Sequence, residues 1–372
     1  MSNVPDLQPV AADMGRPLVT APPRTKLQIQ PFSANAVWTY DKSTSYRYHL
    51  NAKCQDFIAL YLGQSFLNPN DPNMGYINRE LLTLAFTVSS LPLFTYSVLT
   101  TLTYDISQHP FLMHASIAVA LTYDRHQNPS SIRRRTLEEC YHWSQGTALL
   151  KKRLAEPIKP ADKDAIWGTA AALAILTFSS PDASTPGESW PLKPSPDHSD
   201  LDWLRMNEAK MSLWDIVNPL RPDSIFCVMA ETFAQIHAPL TQRGMDGIPG
   251  ALATLCLLDD LSTADTSPYF HAAHAVSQIL KLPDSEVTTG PSLLFPGTIY
   301  GPFKDLLVRE RHPVALVLLY LWYCKAGRSI WWIGLRARVE GPAIVGYLRR
   351  YHQGNVAVQE VLAGRVYGLA GC

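Results

Sequence analysis

Three segments of this chain are apolar around the whole circumference of a helix, and they restrict the fold more than any other feature. They are Pro110 to Tyr123, Asp164 to Phe178 and Pro313 to Cys324. Proline suits the first turn of a helix, and Asp162 or Asp164 is placed to cap the second segment. Helices that are hydrophobic on every side belong in the centre of a large protein. The sequence therefore predicts an all-α fold, a multi-layer helical array around buried central helices, with room for an apolar ligand cavity.

Two further segments are amphipathic and are expected to coat that centre. Thr136 to Leu154 has apolar and aromatic residues at helical spacing and ends in basic residues, where the helix dipole favours cations. Pro222 to His237 places an apolar face opposite Glu231; that face consists of Ile225, Phe226, Met229, Phe233 and Ile236. Strand signals are weak, because no sustained alternation and no Asn-Gly or Asp-Gly hairpin stands between apolar runs.

Proline-rich stretches divide the chain. Residues 1–36 hold six prolines and little apolar periodicity, which predicts a disordered or draped leader. Residues 37–372 are then expected to form a single all-helical domain. Within it, the prolines of residues 179–200 predict a long surface loop, whereas residues 282–302 mix Gly and Pro with apolar side chains and predict an ordered loop packed on the body.

The uncharged stretch from Leu81 to Tyr104 is long enough to cross a bilayer. Its Ser and Thr content and Pro92 favour two buried helical pieces instead, so no membrane span is expected. Most of the six cysteines lie in apolar runs, which is typical of reduced core thiols, and no pair forms a CxxC motif for zinc. Because no apolar signal segment occurs in the first 30 residues either, an intracellular protein of the cytoplasm or nucleus is predicted.

The charge balance and the missing motifs exclude several classes of function. Lys plus Arg equals Asp plus Glu at 32 each, whereas nucleic-acid binders usually carry a basic excess, so no direct nucleic-acid contact is expected. Phosphate-binding glycine loops, nucleophile elbows and zinc-protease helices are missing. Asp259, Asp260 and Asp265 have the wrong spacing for a magnesium–diphosphate motif and are better explained as a loop that ends a helix. No cofactor and no metal are therefore predicted.

An aromatic cluster at residues 320–332 is the most promising feature for binding. Large aromatic rings fill cores by default, but rings with polar edges also suit the walls of a small-molecule cavity. Arg328 and Arg336 flank its tryptophan pair. Together with the apolar face described above, the predicted ligand-binding residues are Phe226, Met229, Phe233, Tyr320, Tyr323, Arg328, Trp331 and Trp332.

Two histidines are the candidate catalytic residues. His114 stands inside an otherwise apolar helix, where a buried imidazole needs a hydrogen-bond partner; a structural hydrogen bond is the alternative explanation. His237 stands at the edge of the apolar face of its helix, beside a predicted pocket. The alternative is an ordinary surface histidine.

A series of short motifs occurs in order along the chain, roughly between residue 105 and residue 350. They are His109 to Ala115, Tyr141 to Trp143, Ala148 to Leu150, Asp164 with Ala165, Arg311 to Leu316 and Trp331 to Gly334. In these motifs the chain resembles the effector domain of fungal zinc-cluster transcription factors of the sterol uptake control type. The resemblance implies an all-helical domain, a homodimer and an apolar pocket for a lipid.

The chain departs from that family at its N-terminal side. Family members that act at promoters carry six clustered cysteines and a basic linker, whereas residues 1–50 here contain no cysteine and only five Lys or Arg. The zinc-held helix that would enter the major groove is missing. Direct DNA binding is therefore not expected.

Two functional hypotheses follow, and both require a dry cavity. The first is a cofactor-independent enzyme of fungal secondary metabolism, namely a cyclase, a pericyclase such as a Diels–Alderase, or an isomerase, which shapes an apolar terpenoid or polyketide intermediate. The alternative is a regulator that senses a lipid or binds a DNA-bound partner. A third, simpler explanation is a truncated gene model. It predicts in-frame coding sequence for a cysteine cluster upstream of Met1. The enzyme is preferred, because a sensor without an output domain needs a second protein that supplies this domain.

Overall fold

The structure is a computed structural model that describes residues 77, 81, 109–127, 134–194 and 200–363, and the backbone alone of residues 37–41 and 46–50. The predicted leader and the predicted helical pieces around Pro92 lie outside the described residues. The protein is all-α, as predicted. Its helices are α1 (Pro110–Gln127), α2 (Leu137–Leu154), α3 (Lys163–Ser179), α4 (Asp202–Met211), α5 (Trp214–Val217), α6 (Ala230–Ile236), α7 (Gly250–Cys256), α8 (Phe270–Lys281), α9 (Thr289–Leu294), α10 (Gly301–Val308), α11 (Pro313–Ser329), α12 (Trp331–Tyr351) and α13 (Val356–Leu362).

A short antiparallel hairpin precedes the helices. Strand β1 (Val37–Asp41) pairs with β2 (Tyr46–Leu50), with Val37 opposite Leu50. The expectation of a single all-helical domain over residues 37–372 did not include this hairpin. The first segment is rich in β-branched and aromatic residues and the second holds two tyrosines, and such residues favour extended backbone even without a Gly-containing turn.

The predicted central helices are central. Every residue from Pro110 to Thr122 of α1 is buried, and so is every residue from Val314 to Ala326 of α11. Helix α1 packs on α2 and α3, while α11 contacts α8, α10, α12 and α13. Proline begins both helices, as predicted, where its missing N–H costs no hydrogen bond.

Helix α3 departs from uniform burial in an informative way. It is apolar along its length, yet Ala171, Ala172, Ala174 and Ile175 keep part of their surface exposed. All four line a pocket between α3 and its neighbours, so this side of an apolar helix faces empty space rather than core.

The two aspartates predicted to cap α3 have other roles. Asp162 occupies the N-cap position but makes no capping hydrogen bond; its carboxylate pairs with Arg153 instead. Asp164 is buried and reaches another segment, as described below. Sequence spacing located the end of the helix correctly but not the partners of its carboxylates, because those partners are distant in the chain.

The segment Pro222 to His237 is not one helix. It begins as a 3-10 helix, Ile225–Met229, and continues as α6. The hydroxyl of Ser224 accepts the backbone N–H of Phe226, while the carboxylate of Asp164 accepts that of Ile225. These side-chain acceptors satisfy the first N–H groups and hold the tighter first turn.

The two loops predicted from proline content are both ordered where described. In residues 179–194 a 3-10 turn at Pro186–Glu188 packs on α12, and Trp190 is buried, so this loop is less superficial than predicted. Residues 282–302 include α9 and bury Phe295 and Ile299, as expected for an ordered loop.

The cysteines and the helix lengths bear on the compartment. Cys140, Cys227 and Cys256 are free thiols, but Cys324 is disulfide-bonded, so the prediction of a reduced thiol is wrong at that position. Among the described helices, none combines the length and the hydropathy needed to traverse a bilayer.

Candidate ligand pocket

An apolar pocket of about 160 Å³ lies between α3, α4, α6 and α9, with side chains of α11 and α12 at its inner end. The exposed alanines of α3 form one side. The remaining walls combine aliphatic side chains with seven aromatic rings, those of Trp167, Phe178, Trp203, Phe226, Phe233, Trp322 and Trp332. The pocket therefore has the apolar and aromatic lining that is typical of small-molecule sites.

Ring packing fixes the aromatic walls in place. At one end the ring of Trp167 lies 6.4 Å from that of Phe233 and 5.4 Å from that of Trp214, measured between centroids. At the other end Phe178 contacts Trp203 at 4.8 Å and Trp332 at 5.1 Å, both edge to face. Ring-to-ring contacts of this kind add about 0.5–1.5 kcal/mol each beyond area burial, so they stabilise the position of these rings in the pocket wall.

The volume limits what the pocket can hold. A dry cavity of about 150 Å³ binds a single benzene ring, whereas drug-sized ligands occupy about 300–1,000 Å³. At about 160 Å³ the present pocket matches one ring or a short branched chain.

The charged group and the amide of the pocket both come from one helix, whereas the other polar side chains of the lining, Thr232 and Thr289, carry only hydroxyls. Trp203, Asn207 and Lys210 lie on the same side of α4 at spacings of four and three residues, and all three line the pocket. We refer to these three residues as the polar face of α4. The indole Nε1–H of Trp203 is buried and has no acceptor among the described residues. A buried donor without an acceptor costs about 1–3 kcal/mol, so a ligand oxygen placed there would recover that cost.

Lys210 is the charged group of this wall. Its ammonium nitrogen lies 5.4 Å from the ring centroid of Trp167, a cation–π distance. Burial of the ammonium end lowers the pKa of Lys210 to about 8, although the residue as a whole keeps part of its surface exposed. No carboxylate among the described residues lies within ion-pair distance of it, so burial is not offset by an opposite charge.

A buried carboxylate anchors the segment that carries Phe226. Asp164 accepts hydrogen bonds from the Ser224 hydroxyl at 2.8 Å and from the Ile225 backbone N–H at 3.1 Å, and it pairs with Arg221 at 2.7 Å. These contacts tie the start of α3 to the 3-10 turn. The position of Phe226 in the pocket wall thus depends on a carboxylate about sixty residues earlier in the chain.

Half of the predicted ligand-binding residues meet in this pocket. Phe226, Met229, Phe233 and Trp332 line it, although Trp332 is about a hundred residues from the others. The predicted residues that do not line it are Tyr320, Tyr323, Arg328 and Trp331.

Those four residues lie elsewhere for identifiable reasons. The hydroxyl of fully buried Tyr323 donates to Glu340 at 2.6 Å, and burial raises the pKa of Tyr323 well above its ordinary value. Trp331 packs edge to face on Tyr123 at 5.2 Å, and Tyr320 is a core residue. Arg328 is exposed at the end of α11.

Arg336, the second arginine beside the tryptophan pair, is buried in the same network as Tyr323. It pairs with Glu340 and donates to the backbone carbonyls of Phe178 and Thr177, at 2.5 and 3.0 Å. The two donors that reach Phe178 and Thr177 hold α12 on the end of α3, while the pair with Glu340 lies within α12.

The two candidate catalytic histidines do not line the pocket. His114 is fully buried between α1 and α2, where its Nδ1 lies 2.8 Å from Nδ1 of His142. Burial lowers the pKa of His142 to about 4, so that ring is neutral at pH 7. His237 is exposed at the end of α6, with its ring 6.0 Å from that of Trp214. The alternative structural explanations given above fit both positions.

Sequence reasoning missed the polar face of α4. A lysine in the last turn of a helix is ordinarily explained by the helix dipole, and Lys210 has that position. The available signal was its spacing of seven residues from Trp203, which places the lysine on the apolar side of an otherwise polar helix.

A wider cleft of about 860 Å³ lies next to Trp190. Its charged groups are engaged with one another, for example Arg135 with Asp182 at 2.8 Å and Arg336 with Glu340. The apolar pocket is therefore the better defined candidate.

Within the described residues no group of three His, Cys, Asp or Glu side chains is arranged to hold a metal ion. Asp259 instead accepts hydrogen bonds from the Leu261 backbone and the Ser262 hydroxyl, at 2.9 and 2.8 Å, and so stabilises the turn after α7. Comparisons of the chain with family models, with curated proteins and with solved structures found no match.

Proposed function

We propose that this chain is a cofactor-independent enzyme that binds a compact, apolar carbonyl compound in the pocket between α3, α4, α6 and α9. The observation that carries the proposal is the polar face of α4 in a cavity whose other walls, apart from Thr232 and Thr289, are aromatic and aliphatic. Apolar walls favour a hydrocarbon skeleton, and donors gathered on one side favour a single oxygen acceptor on it.

The size of the pocket narrows the substrate expected from the sequence. Folding a long terpenoid or polyketide chain requires more room than about 160 Å³ provides. A single-ring or short branched ketone or aldehyde fits. Among the predicted reaction types, isomerisation of such a compound is therefore favoured over cyclisation of a long chain.

The chemistry follows from hydrogen bonding to the carbonyl oxygen. The Trp203 indole N–H and the Asn207 amide donate to that oxygen, which polarises the carbonyl and acidifies the adjacent carbon. In a β,γ-unsaturated ketone, a proton then leaves the carbon between the two groups and another adds at the far end of the double bond. No atom is gained or lost, and no cofactor is required.

Ligand binding is the first test. Titration with 2-cyclohexen-1-one should quench tryptophan fluorescence, because four tryptophans line the pocket. Ala172→Phe fills the space beside α3 and should abolish the quenching. The matched control is Ala148→Phe on the exposed side of α2, which should bind as the original protein does.

The role of the donor is tested by Trp203→Phe, which removes the N–H and keeps a ring. Binding of 2-cyclohexen-1-one should weaken about fivefold, the value of one hydrogen bond of about 1 kcal/mol, while binding of cyclohexene should not weaken. Trp190→Phe removes another buried indole N–H that lacks an acceptor but does not line the pocket, so it is the control. Equal losses for the ketone and the hydrocarbon would contradict the proposed donor.

Turnover separates the enzyme from the alternative. Conversion of 3-cyclohexen-1-one to the conjugated 2-cyclohexen-1-one is followed by its ultraviolet absorbance, with Ala172→Phe as the inactive control. Binding without any acceleration over buffer would favour the regulator implied by the sequence resemblance, in which a small molecule controls contact with a second protein or a homodimer. That regulator remains a second proposal, and it rests on the resemblance alone.

A further inference from the structure

The position of Lys210 requires an explanation beyond helix stability. A lysine in the last turn of a helix normally extends into water while its charge complements the dipole. Lys210 instead lines the apolar pocket, with its nitrogen 5.4 Å from the Trp167 ring centroid. A buried ammonium without a carboxylate is unfavourable, so this placement costs stability that a surface position would not.

The charged groups of the surrounding helices do not compensate the positive charge of Lys210. On α4 itself, Arg205 pairs with Asp202 and Glu208 pairs with Lys304. The charged residues of the neighbouring helices α3, α5 and α6 are Lys163, Asp164, Asp215 and Glu231, and none of them lines the pocket. The other polar side chains in the lining, those of Asn207, Thr232 and Thr289, do not titrate.

This environment changes the reactivity of the amine. Because burial lowers the pKa of Lys210 to about 8, about a tenth of the molecules carry the free amine at pH 7. An ordinary lysine with a pKa of about 10.4 has a free-amine fraction a few hundred times smaller. A desolvated amine in an apolar pocket is the arrangement by which enzymes activate lysine as a nucleophile.

We propose that Lys210 is a catalytic nucleophile that forms an imine with an aldehyde or ketone bound in the pocket. This inference rests on the proposed function, because the same pocket must first bind the carbonyl compound. The amine nitrogen adds to the carbonyl carbon, both amine protons pass in turn to the oxygen, and that oxygen leaves as water as the C=N bond forms. Hydrolysis reverses these steps and returns both the amine and a carbonyl compound.

Imine formation would strengthen the proposed isomerisation. The protonated imine withdraws electrons from the adjacent carbon more strongly than a hydrogen-bonded carbonyl does, so loss of the neighbouring proton becomes easier. The donors of Trp203 and Asn207 on the same face then hold the oxygen while the nitrogen attacks. An ammonium that only pairs with a ligand carboxylate would not form this bond.

Reductive trapping tests the inference on the full chain. Benzaldehyde, a single-ring aldehyde, is incubated with the protein at pH 7 together with sodium cyanoborohydride, which reduces the imine to a stable benzylamine. Peptide mass spectrometry then compares the yield at Lys210 with that at Lys151, which also lies in the last turn of its helix but is exposed. We expect at least about tenfold more adduct at Lys210, since its free-amine fraction is a few hundred times larger.

Two variants complete the experiment. Lys210→Met keeps a chain of similar length without the amine, so it should lose the adduct while still binding benzyl alcohol, which cannot form an imine. Lys151→Met should keep the adduct at Lys210 unchanged. Urea unfolding of each variant checks that it is folded.

The outcomes separate the two proposals. Saturable benzyl alcohol binding with no preferential adduct at Lys210 would overturn the nucleophile and leave the pocket intact. A lack of benzyl alcohol binding in the original protein would overturn the proposed function as well. Preferential modification that persists when Ala172→Phe fills the pocket would also count against the inference, because the reaction would not depend on bound carbonyl compound.

Discussion

Replacing Gly334 with alanine is expected to destabilise the protein, although alanine is the better helix former. Gly334 lies in α12 where this helix crosses α11, and a β-carbon added there would stand 2.5 Å from the carbonyl oxygen of Gly327. The obstacle is backbone, so no side chain can rotate away. Because Ile330 alone joins the two helices, they cannot separate at this crossing without disturbing the buried residues on both sides.

The magnitude follows from two opposing effects. Ordinary contact between nonbonded heavy atoms is about 3.5–4.0 Å, so the new methyl group stands roughly 1 Å too close. Overpacking of this kind costs about 1–3 kcal/mol, and the upper end applies when backbone must move. The gain in helix propensity from glycine to alanine is about 1 kcal/mol. We therefore expect a net loss of about 2 kcal/mol in the free energy of unfolding.

Gly346→Ala is the matched control because it makes the same change in the same helix. Its added β-carbon would meet only a methyl group of Leu192, at 3.1 Å, and that side chain can adjust. Here the propensity gain should dominate, so stability should stay equal or rise by up to about 1 kcal/mol.

Equilibrium unfolding in urea, followed by far-ultraviolet circular dichroism, measures both effects. With a slope of about 3 kcal/mol per molar urea, the midpoint for Gly334→Ala should fall by roughly 0.7 M at unchanged slope. Ligand quenching should weaken as well, since Trp332 of the pocket stands two residues away. If Gly334→Ala and Gly346→Ala shifted the midpoint equally, the close backbone crossing would be refuted.

Three further predictions concern buried polar groups. Asp164→Ala should lower the free energy of unfolding by about 3–5 kcal/mol, because it leaves Arg221 without its buried partner. Urea unfolding measures this loss, and a loss below about 1 kcal/mol would contradict the anchoring role of Asp164. The stability contributed by neutral His142 is present above its unfolded pKa of about 6.5 and is lost as the pH falls towards its folded pKa of about 4. Between pH 7 and 5 the free energy of unfolding should therefore fall by about 2 kcal/mol more in the original protein than in His142→Asn, measured by urea unfolding at both pH values. Tyr323→Phe should cost about 1–3 kcal/mol, since Glu340 loses a buried hydrogen bond; an unchanged urea midpoint would show that the bond contributes nothing.

The sequence was sufficient to predict the helical architecture and part of the pocket. Apolar runs opened by proline located α1 and α11 within a few residues, because both features act through local backbone geometry. The same periodicity placed Phe226, Met229 and Phe233 on one face, and these three residues do line the pocket. The spacing of side chains within one segment is a local property, which a sequence displays directly.

Only the tertiary structure decided where these faces meet. Tyr323 and Trp332 belong to one aromatic cluster in sequence, yet one donates to a buried glutamate and the other faces the cavity. The sequence analysis did not single out Lys210, which the packing of α4 places over the ring of Trp167. Which side chain faces a cavity depends on how separate helices rotate against one another, and that rotation is set by the packing of the whole core rather than by any one segment.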